Sequence, residues 1–408
     1  MARARPPASR CAVRVPAYLE GSRARVVAVL EELIAEQRRR SPGIEDRTEG
    51  RLEGDPYGPV LYDLMLDYPL REAKGLRPAL CIATCRALGG NLEAALPTAS
   101  VLELYHNAFL VHDDVEDRSH VRRGGPTLHA AHGQAIAVNV GDGMLALTLR
   151  PLLANIERVG LGPALRILEA MAEMSERTVE GQAMELDWIR RNTWELSDDD
   201  YIEMVVRKTG WYSFIIPTRC GALCARSDPK VCEQLERFAR DLSVAFQIQD
   251  DVLNLVGGAD EIGKDARGDL WEGKRTLVLL HALRTAAPAD RDRAVAILAK
   301  SVPEVSLAGV PSLLARLEDQ GQLAPAGRAE LERALGLAEL RSAAEVDALM
   351  ELIEAQGSID HARRRAREHL EAARASLEAA TRPCSTPATG TSCGAWSISC
   401  WSAAGDRV

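Results

Sequence analysis

Apolar residues recur every three or four positions along most of the chain, the period of helices with one face in a core. RVVAVLEELIAEQRRR, residues 25–40, ends on a basic cluster, as a helix C-terminus prefers. GLRPALCIATCRALGG, 75–90, carries proline near its first turn and stops at Gly89-Gly90. Long periodic segments are predicted near 97–117, 134–156, 163–190, 200–225 and 229–256. No alternating strand patterns joined by hairpin turns separate them. The pattern therefore predicts one all-α domain over residues 21–380, with ten or more helices packed around a central cavity. Two stretches break the period. Residues 257–276, GGADEIGKDARGDLWEGKRT, are Gly-rich and charged and are predicted to be a loop. From Thr381 the chain loses charge and gains Cys, Ser, Thr and Trp, so 381–408 is expected to be a disordered tail, with a shifted reading frame as one explanation.

Composition sharpens this picture at a few points. Of 408 residues 46% are hydrophobic but only 4% aromatic, which suits helices better than strands. The net charge of −9 argues against nucleic acid or an anionic membrane as partner. No run of 18 apolar residues occurs, so no transmembrane segment is expected. The Arg-rich start, residues 1–20, lacks the apolar core of a secretory signal and is expected to be a disordered tail. The nine cysteines form no CxxC pair. Cys81/Cys85 and Cys220/Cys224 have the spacing of buried thiols on helix faces, and a cytoplasmic location fits them.

The candidate chemistry lies in LVHDDVEDRSHVRRGGPTLH, residues 110–129, where concentrated acid is followed by concentrated base. On a helix Asp113 and Asp117 share a face, with Asp114 adjacent. Carboxylates held this way repel one another unless a cation lies between them, and Mg²⁺ takes a few carboxylates together with phosphate oxygens and water. A single DDxxD pattern is weak, because acidic helix faces often simply meet solvent. A second copy stands in FQIQDDVLNL, where Asp250, Asp251 and Asn254 repeat the spacing. Two such clusters fit two helices facing one cavity, with several Mg²⁺ ions around one diphosphate. Six lysines stand against 44 arginines, and four of them, Lys74, Lys208, Lys264 and Lys274, sit beside Gly, Thr or Arg. Those four suit phosphate as compact point charges. Arg77, Arg122 and Arg123 offer planar forks for phosphate oxygens. The acidic run LSDDDY, 196–201, is explained by Ser197 or Asp198 as a helix N-cap.

From Lys74 to Thr276 these segments resemble the trans-type isoprenyl diphosphate synthases of the polyprenyl synthetase family, in family order. HDDVEDRSHVRRGGPT is similar to the first aspartate-rich motif and FQIQDDVLNL to the second. KGLRP is similar to the isopentenyl diphosphate motif, His106-Asn107 to the histidine before the first motif, and KTG to the allylic-site lysine and threonine. The resemblance implies an all-α isoprenoid synthase fold, a homodimer and three Mg²⁺ ions. It implies metal binding by Asp113, Asp117 and Asp250, with Asp114 and Lys208 among the catalytic residues. Arg122, Lys208, Thr209, Gln247, Lys264 and Lys274 would hold the allylic diphosphate; Lys74, Arg77, His106 and Arg123 would hold isopentenyl diphosphate. Three positions depart from the pattern: Gly75 where a basic residue is common, Asn254 for the usual final aspartate, and Glu185 for aspartate.

The chemistry implied is ionisation of the allylic C–O bond, with metal and basic side chains stabilising the leaving pyrophosphate. The double bond of isopentenyl diphosphate attacks the cation, and loss of a proton gives a trans product five carbons longer. Phe109 lies one turn below Asp113 and Leu102 further down; a turn of about 5.4 Å is of the order of an isoprene unit. Phe109, with Ala108 beside it, is the candidate floor, predicting a geranylgeranyl or, next, a farnesyl product. Two rival readings remain: a class I terpene cyclase, and a non-catalytic subunit that modulates a partner synthase.

Overall fold

The computed structural model describes residues 15–40, 57–257, 267–300, 310–336 and 341–381. Within these the chain is helical apart from one two-stranded hairpin. The contacts group into two compact units. Of the described residues, the first comprises those to Gly181, Val205–Phe246 and those from Arg367; the second comprises Gln182–Met204 and those within Gln247–Ala366.

The first unit is organised by α4 (Leu92–Glu116), which Asn91 starts by accepting the Ala94 N–H at 2.9 Å. It packs against α1 (Val15–Arg40), α3 (Leu76–Ala87), α6 (Gln134–Leu147) and α7 (Leu149–Val159). Buried on all sides, α4 carries Val101, Leu102, Leu104, Ala108 and Val111 in the core. Each buried Val or Leu side chain contributes on the order of 1.5–3 kcal/mol by leaving water. Between α4 and α5 (Leu128–His132) the chain forms the hairpin, β1 (Val121–Arg122) against β2 (Gly125–Pro126). Arg123 (φ 50) and Gly124 (φ 76) form its two-residue turn, which needs left-handed backbone at both positions. So short a hairpin has too few residues for alternation to show in the sequence.

Further along are α8 (Leu161–Arg190), α9 (Asp198–Val205), a π-helical stretch (Val206–Ile215), α10 (Ile216–Cys224) and α11 (Pro229–Val256). α9 starts as expected, with Ser197 Oγ accepting the Asp200 N–H and donating to the Asp200 carboxylate. α2 (Asp63–Leu70), preceded by a π-helical turn at Gly58–Tyr62, lies between α1 and α3 in the chain.

The second unit also holds α12 (Gly268–Glu272), a short helix inside the stretch expected to be a loop. Its most buried helix is α13 (Leu277–Thr285), packed against α14 (Pro288–Leu298) and α17 (Ala343–Ala355). α15 (Val310–Asp319), α16 (Pro325–Ala334) and α18 (Ser358–Thr381) complete the described helices.

α1 begins at Val15, inside the expected tail 1–20; residues 1–14 and 382–408 lie outside the described residues. The stretch Gln134–Val159, with a mean hydropathy of 1.3, is long and apolar enough by length and composition to cross a membrane, although no unbroken apolar run of 18 occurs. It is folded as α6 and α7, meeting at Thr148, with Val140, Met144, Leu147, Leu152 and Val159 buried. The helix C-terminal to Pro229 and the four cysteines of the CxxxC pairs fall where expected, and all four thiols are buried and free.

Candidate active site

In the first unit the adjacent acids of the first motif point to different environments. Asp114 is fully buried. The Tyr68 hydroxyl donates to its Oδ2 at 2.6 Å, and Arg122 Nε donates to Oδ1 at 2.9 Å with Nη2 also engaged. Burial opposes the Arg122 charge, but the Asp114 carboxylate holds the guanidinium pKa above its ordinary value. Burial, then the bond to Asp114, push the Tyr68 phenol up, so it stays a donor. Asp113 remains partly exposed, with Lys208 Nζ at 3.4 Å and Arg122 Nη2 at 3.9 Å. Asp117 caps the C-terminus of α4, its backbone N–H donating to the Asp113 carbonyl at 2.8 Å.

Lys208 and Thr209 stand in the π-helical stretch, a wide-turn geometry common at functional sites. A Cβ at Gly181 would lie 2.2 Å from Lys208 N, so glycine there lets α8 approach the backbone of this segment. Tyr212, four residues after Lys208, connects several predicted residues. Arg77 Nη2 donates to its hydroxyl at 3.1 Å, and the Arg77 guanidinium lies 4.5 Å from its ring centroid. His106 stacks on the same ring at 5.9 Å, and Phe109 meets it edge-on at 5.5 Å.

The hairpin sends its two arginines to different places. Arg122 goes to Asp114, whereas Arg123 turns back toward α2 and α4. Arg123 Nη1 donates to the Tyr68 carbonyl at 3.0 Å and Nη2 lies 3.2 Å from His106 Nε2. Burial, then the charges of Arg77, Arg123 and Arg122, hold the His106 pKa well below its ordinary value, so the ring is neutral near pH 7. Nε2 then accepts from Arg123, which leaves the proton on Nδ1 as a buried donor without a partner among the described residues. Arg77 Nε is similarly unpartnered. Buried polar atoms of this kind mark places where a polar ligand can bind. Lys74 is exposed nearby in the chain, one residue before Gly75. Ala108 is fully buried in the core, and Phe109 packs on Tyr105 at 5.8 Å.

The second unit repeats the division of labour between neighbouring acids. Asp250 is exposed, whereas Asp251 is buried. The Tyr201 hydroxyl donates to Asp251 Oδ2 at 2.7 Å and Gln247 Nε2 to Oδ1 at 2.8 Å. Burial, then the charge of Asp269, push the Asp251 carboxyl well above the usual range. Asn254 Oδ1 accepts the Asp269 N–H at 3.1 Å, fixing the start of α12. An amide does this without adding a further negative charge beside Asp250, Asp251 and Asp269, which accounts for asparagine at 254. Lys274 Nζ lies 2.7 Å from Glu272 Oε2 and 4.0 Å from Asp269 Oδ1. Glu185 is buried, and its charge partly offsets the burial that pushes the Arg275 guanidinium down to about 10. Lys264 lies outside the described residues.

Sequence reasoning missed Tyr68, Tyr201 and Tyr212. Only Tyr212 left a signal, its four-residue spacing from Lys208. No group of three or more His, Cys, Asp or Glu side chains poised to hold a metal ion occurs among the described residues. The donors presented by the two motifs are carboxylate oxygens, the type a hard divalent cation prefers.

Comparison with known proteins agrees with the geometry. Residues 59–308 match the polyprenyl synthetase family. A geranylgeranyl diphosphate synthase of Methanosarcina mazei is 33% identical over 217 residues, 53% of this chain and 65% of that one. A farnesyl diphosphate synthase of Geobacillus stearothermophilus is 34% identical over 264 residues, 62% of this chain and 85% of that one. The crystal structure of a geranylgeranyl pyrophosphate synthetase from Pyrococcus horikoshii superposes with a TM-score of 0.68 at 25% identity, covering 89% of this chain and 92% of that one. With motifs, fold and relatives in agreement, the chain belongs to the polyprenyl synthetase family, the trans-type isoprenyl diphosphate synthases.

Proposed function

We propose that this trans-prenyltransferase joins isopentenyl diphosphate to an allylic diphosphate in a Mg²⁺-dependent reaction, with geranylgeranyl diphosphate as the principal product and farnesyl diphosphate next. The observation that carries the reading is the paired arrangement of acids. In each motif one aspartate is buried and tied to a tyrosine, while its neighbour is presented outward. A purely structural acidic cluster has no need for an outward carboxylate beside an anchored one. Asp113, Asp117 and Asp250 would hold the metal, three ions in all. Bound there, Mg²⁺ would neutralise charge that develops on the departing pyrophosphate. Lys208, beside Asp113, would add a cation to the same phosphates, with Arg122 behind it fixing the carboxylates. His106 and Arg77 would turn their unpartnered N–H groups to the diphosphate of isopentenyl diphosphate, joined by Arg123 and Lys74. Thr209, Gln247, Lys264 and Lys274 complete the proposed allylic set.

The test is incubation of the full chain with labelled isopentenyl diphosphate, Mg²⁺ and each allylic primer, followed by sizing of the products. Linear C15–C25 diphosphates support the proposal. Cyclic hydrocarbons would indicate a terpene cyclase, and turnover only with an added synthase would indicate a modulating subunit.

Phe109 is proposed as the floor for the growing chain. Its ring is fixed by Tyr105 and Tyr212, in phase with Asp113 one turn away. Phe109→Ala should shift the product by about one isoprene unit or more, since a helical turn rises about 5.4 Å. An unchanged product distribution removes Phe109 from this role.

A homodimer is part of the proposal. Val138, Leu149, Leu153, Ile156, Leu161 and Leu165 are exposed along successive helices α6, α7 and α8. So many large apolar side chains in one run of sequence suit a second copy of the same surface. Light scattering at micromolar concentration should give twice the chain mass; a monomer mass contradicts it. The buried free thiols fit a reducing, cytoplasmic setting.

A further inference from the structure

Helix α2 ends without the left-handed glycine that commonly closes a helix; Arg71 follows it in extended conformation. Its last carbonyls are taken up instead by two arginines from distant parts of the chain. Arg123 donates to the Tyr68 carbonyl at 3.0 Å. Arg23, on α1, directs Nη2 at the carbonyls of Pro69 (3.1 Å), Leu70 (3.3 Å) and Arg71 (2.6 Å). The stem of the same residue lies at the far end of the following loop. A Cβ placed on Gly75 would be 3.0 Å from the Arg23 Cβ, and Gly75 has φ +60. Lys74 stands between these two attachment points. The charge of Arg23 also reaches Arg123, whose pKa is lowered first by burial and then by neighbouring cations that include Arg23.

We propose that Arg23 is a positioning residue for the isopentenyl diphosphate pocket, holding both ends of the loop that carries Lys74 and sharing the α2 cap with Arg123. It lies outside residues 59–308, the part of the chain matched to the family. Gly75 is explained by the same contact: a larger residue would press on the Arg23 stem and strain a left-handed backbone. The inference rests on the prenyl-transfer reading for the identity of the ligand and on the cap geometry for the role of Arg23.

Steady-state kinetics and isothermal titration with isopentenyl diphosphate test it in the full chain. Arg23→Ala should raise KM and Kd for isopentenyl diphosphate about tenfold, the scale of a misplaced charge-assisted contact. KM for the allylic substrate and kcat should stay within about twofold, since neither depends on the loop. Arg23→Lys, which keeps the charge and some of the donors, should recover part of the loss. Gly75→Ala should weaken the same substrate from the other end of the loop. If Arg23→Ala does not fold, the last two variants carry the comparison. Equal rises in both KM values, or an unchanged Kd, overturn the role given to Arg23. Wild-type protein that binds isopentenyl diphosphate without turnover counts against the synthase reading, while its Kd ratio to the variants still decides the inference. Absence of binding in the wild type overturns both.

Discussion

Asp113→Ala lowers kcat for prenyl transfer about a thousandfold, the scale of losing a main electrostatic stabiliser of the transition state. It leaves the stability of the protein within about 1 kcal/mol, as loss of a partly exposed ion pair does. The side chain of Asp113 is 26% exposed, and its cationic neighbours Lys208 and Arg122 stand at 3.4 and 3.9 Å. Removing it deletes a proposed metal ligand, while Arg122 keeps its bond to Asp114. Kinetics at saturating Mg²⁺ and a thermal melt of the same sample check both halves. A variant that loses activity only in proportion to its loss of folded protein contradicts the assignment.

The neighbouring substitution has the opposite character. Asp114→Ala leaves the buried Arg122 guanidinium without its hydrogen-bonded carboxylate, only Asp113 remaining at 3.9 Å, and the Tyr68 hydroxyl without its acceptor. Breaking a buried pair from one side costs about 3–5 kcal/mol. Tyr68→Phe, which removes one donor to the same carboxylate, should cost about 1–3 kcal/mol. Denaturant unfolding of the two variants measures both. A midpoint for Asp114→Ala equal to that of the wild type would show that Asp114 does not anchor this region. Two residues adjacent in one motif are thus separable, one by kinetics and the other by stability.

The helical architecture was legible because its period persists over long segments, and the motif acids because four-residue spacing places them on one helix face. Spacing puts Asp114 about 100° from Asp113 but only about 60° from Asp117, so it does not by itself tell which acid is buried. What it does not disclose is the partner that buries Asp114, since Tyr68 is 46 residues away and carries no pattern of its own. Tyr201 and Asp251, 50 residues apart, present the same difficulty. The differing surroundings of Arg122 and Arg123 depend on a two-residue left-handed turn, one member of which is an arginine rather than a residue that announces such a turn. Arg23 gave no sign at all, because a cap on carbonyls depends on the fold and not on side-chain pattern. Asn254 reads as a departure in the motif but acts locally as a cap for the Asp269 N–H.

The proposal centres on metal-dependent diphosphate binding that requires the outward aspartate of each motif. Isothermal titration of the full chain with inorganic pyrophosphate, with and without Mg²⁺, tests this most directly. The account predicts binding with Mg²⁺, loss of at least tenfold in affinity without it, and a similar loss in Asp113→Ala and Asp250→Ala. Equal affinity with and without Mg²⁺, unaffected by either substitution, would contradict it.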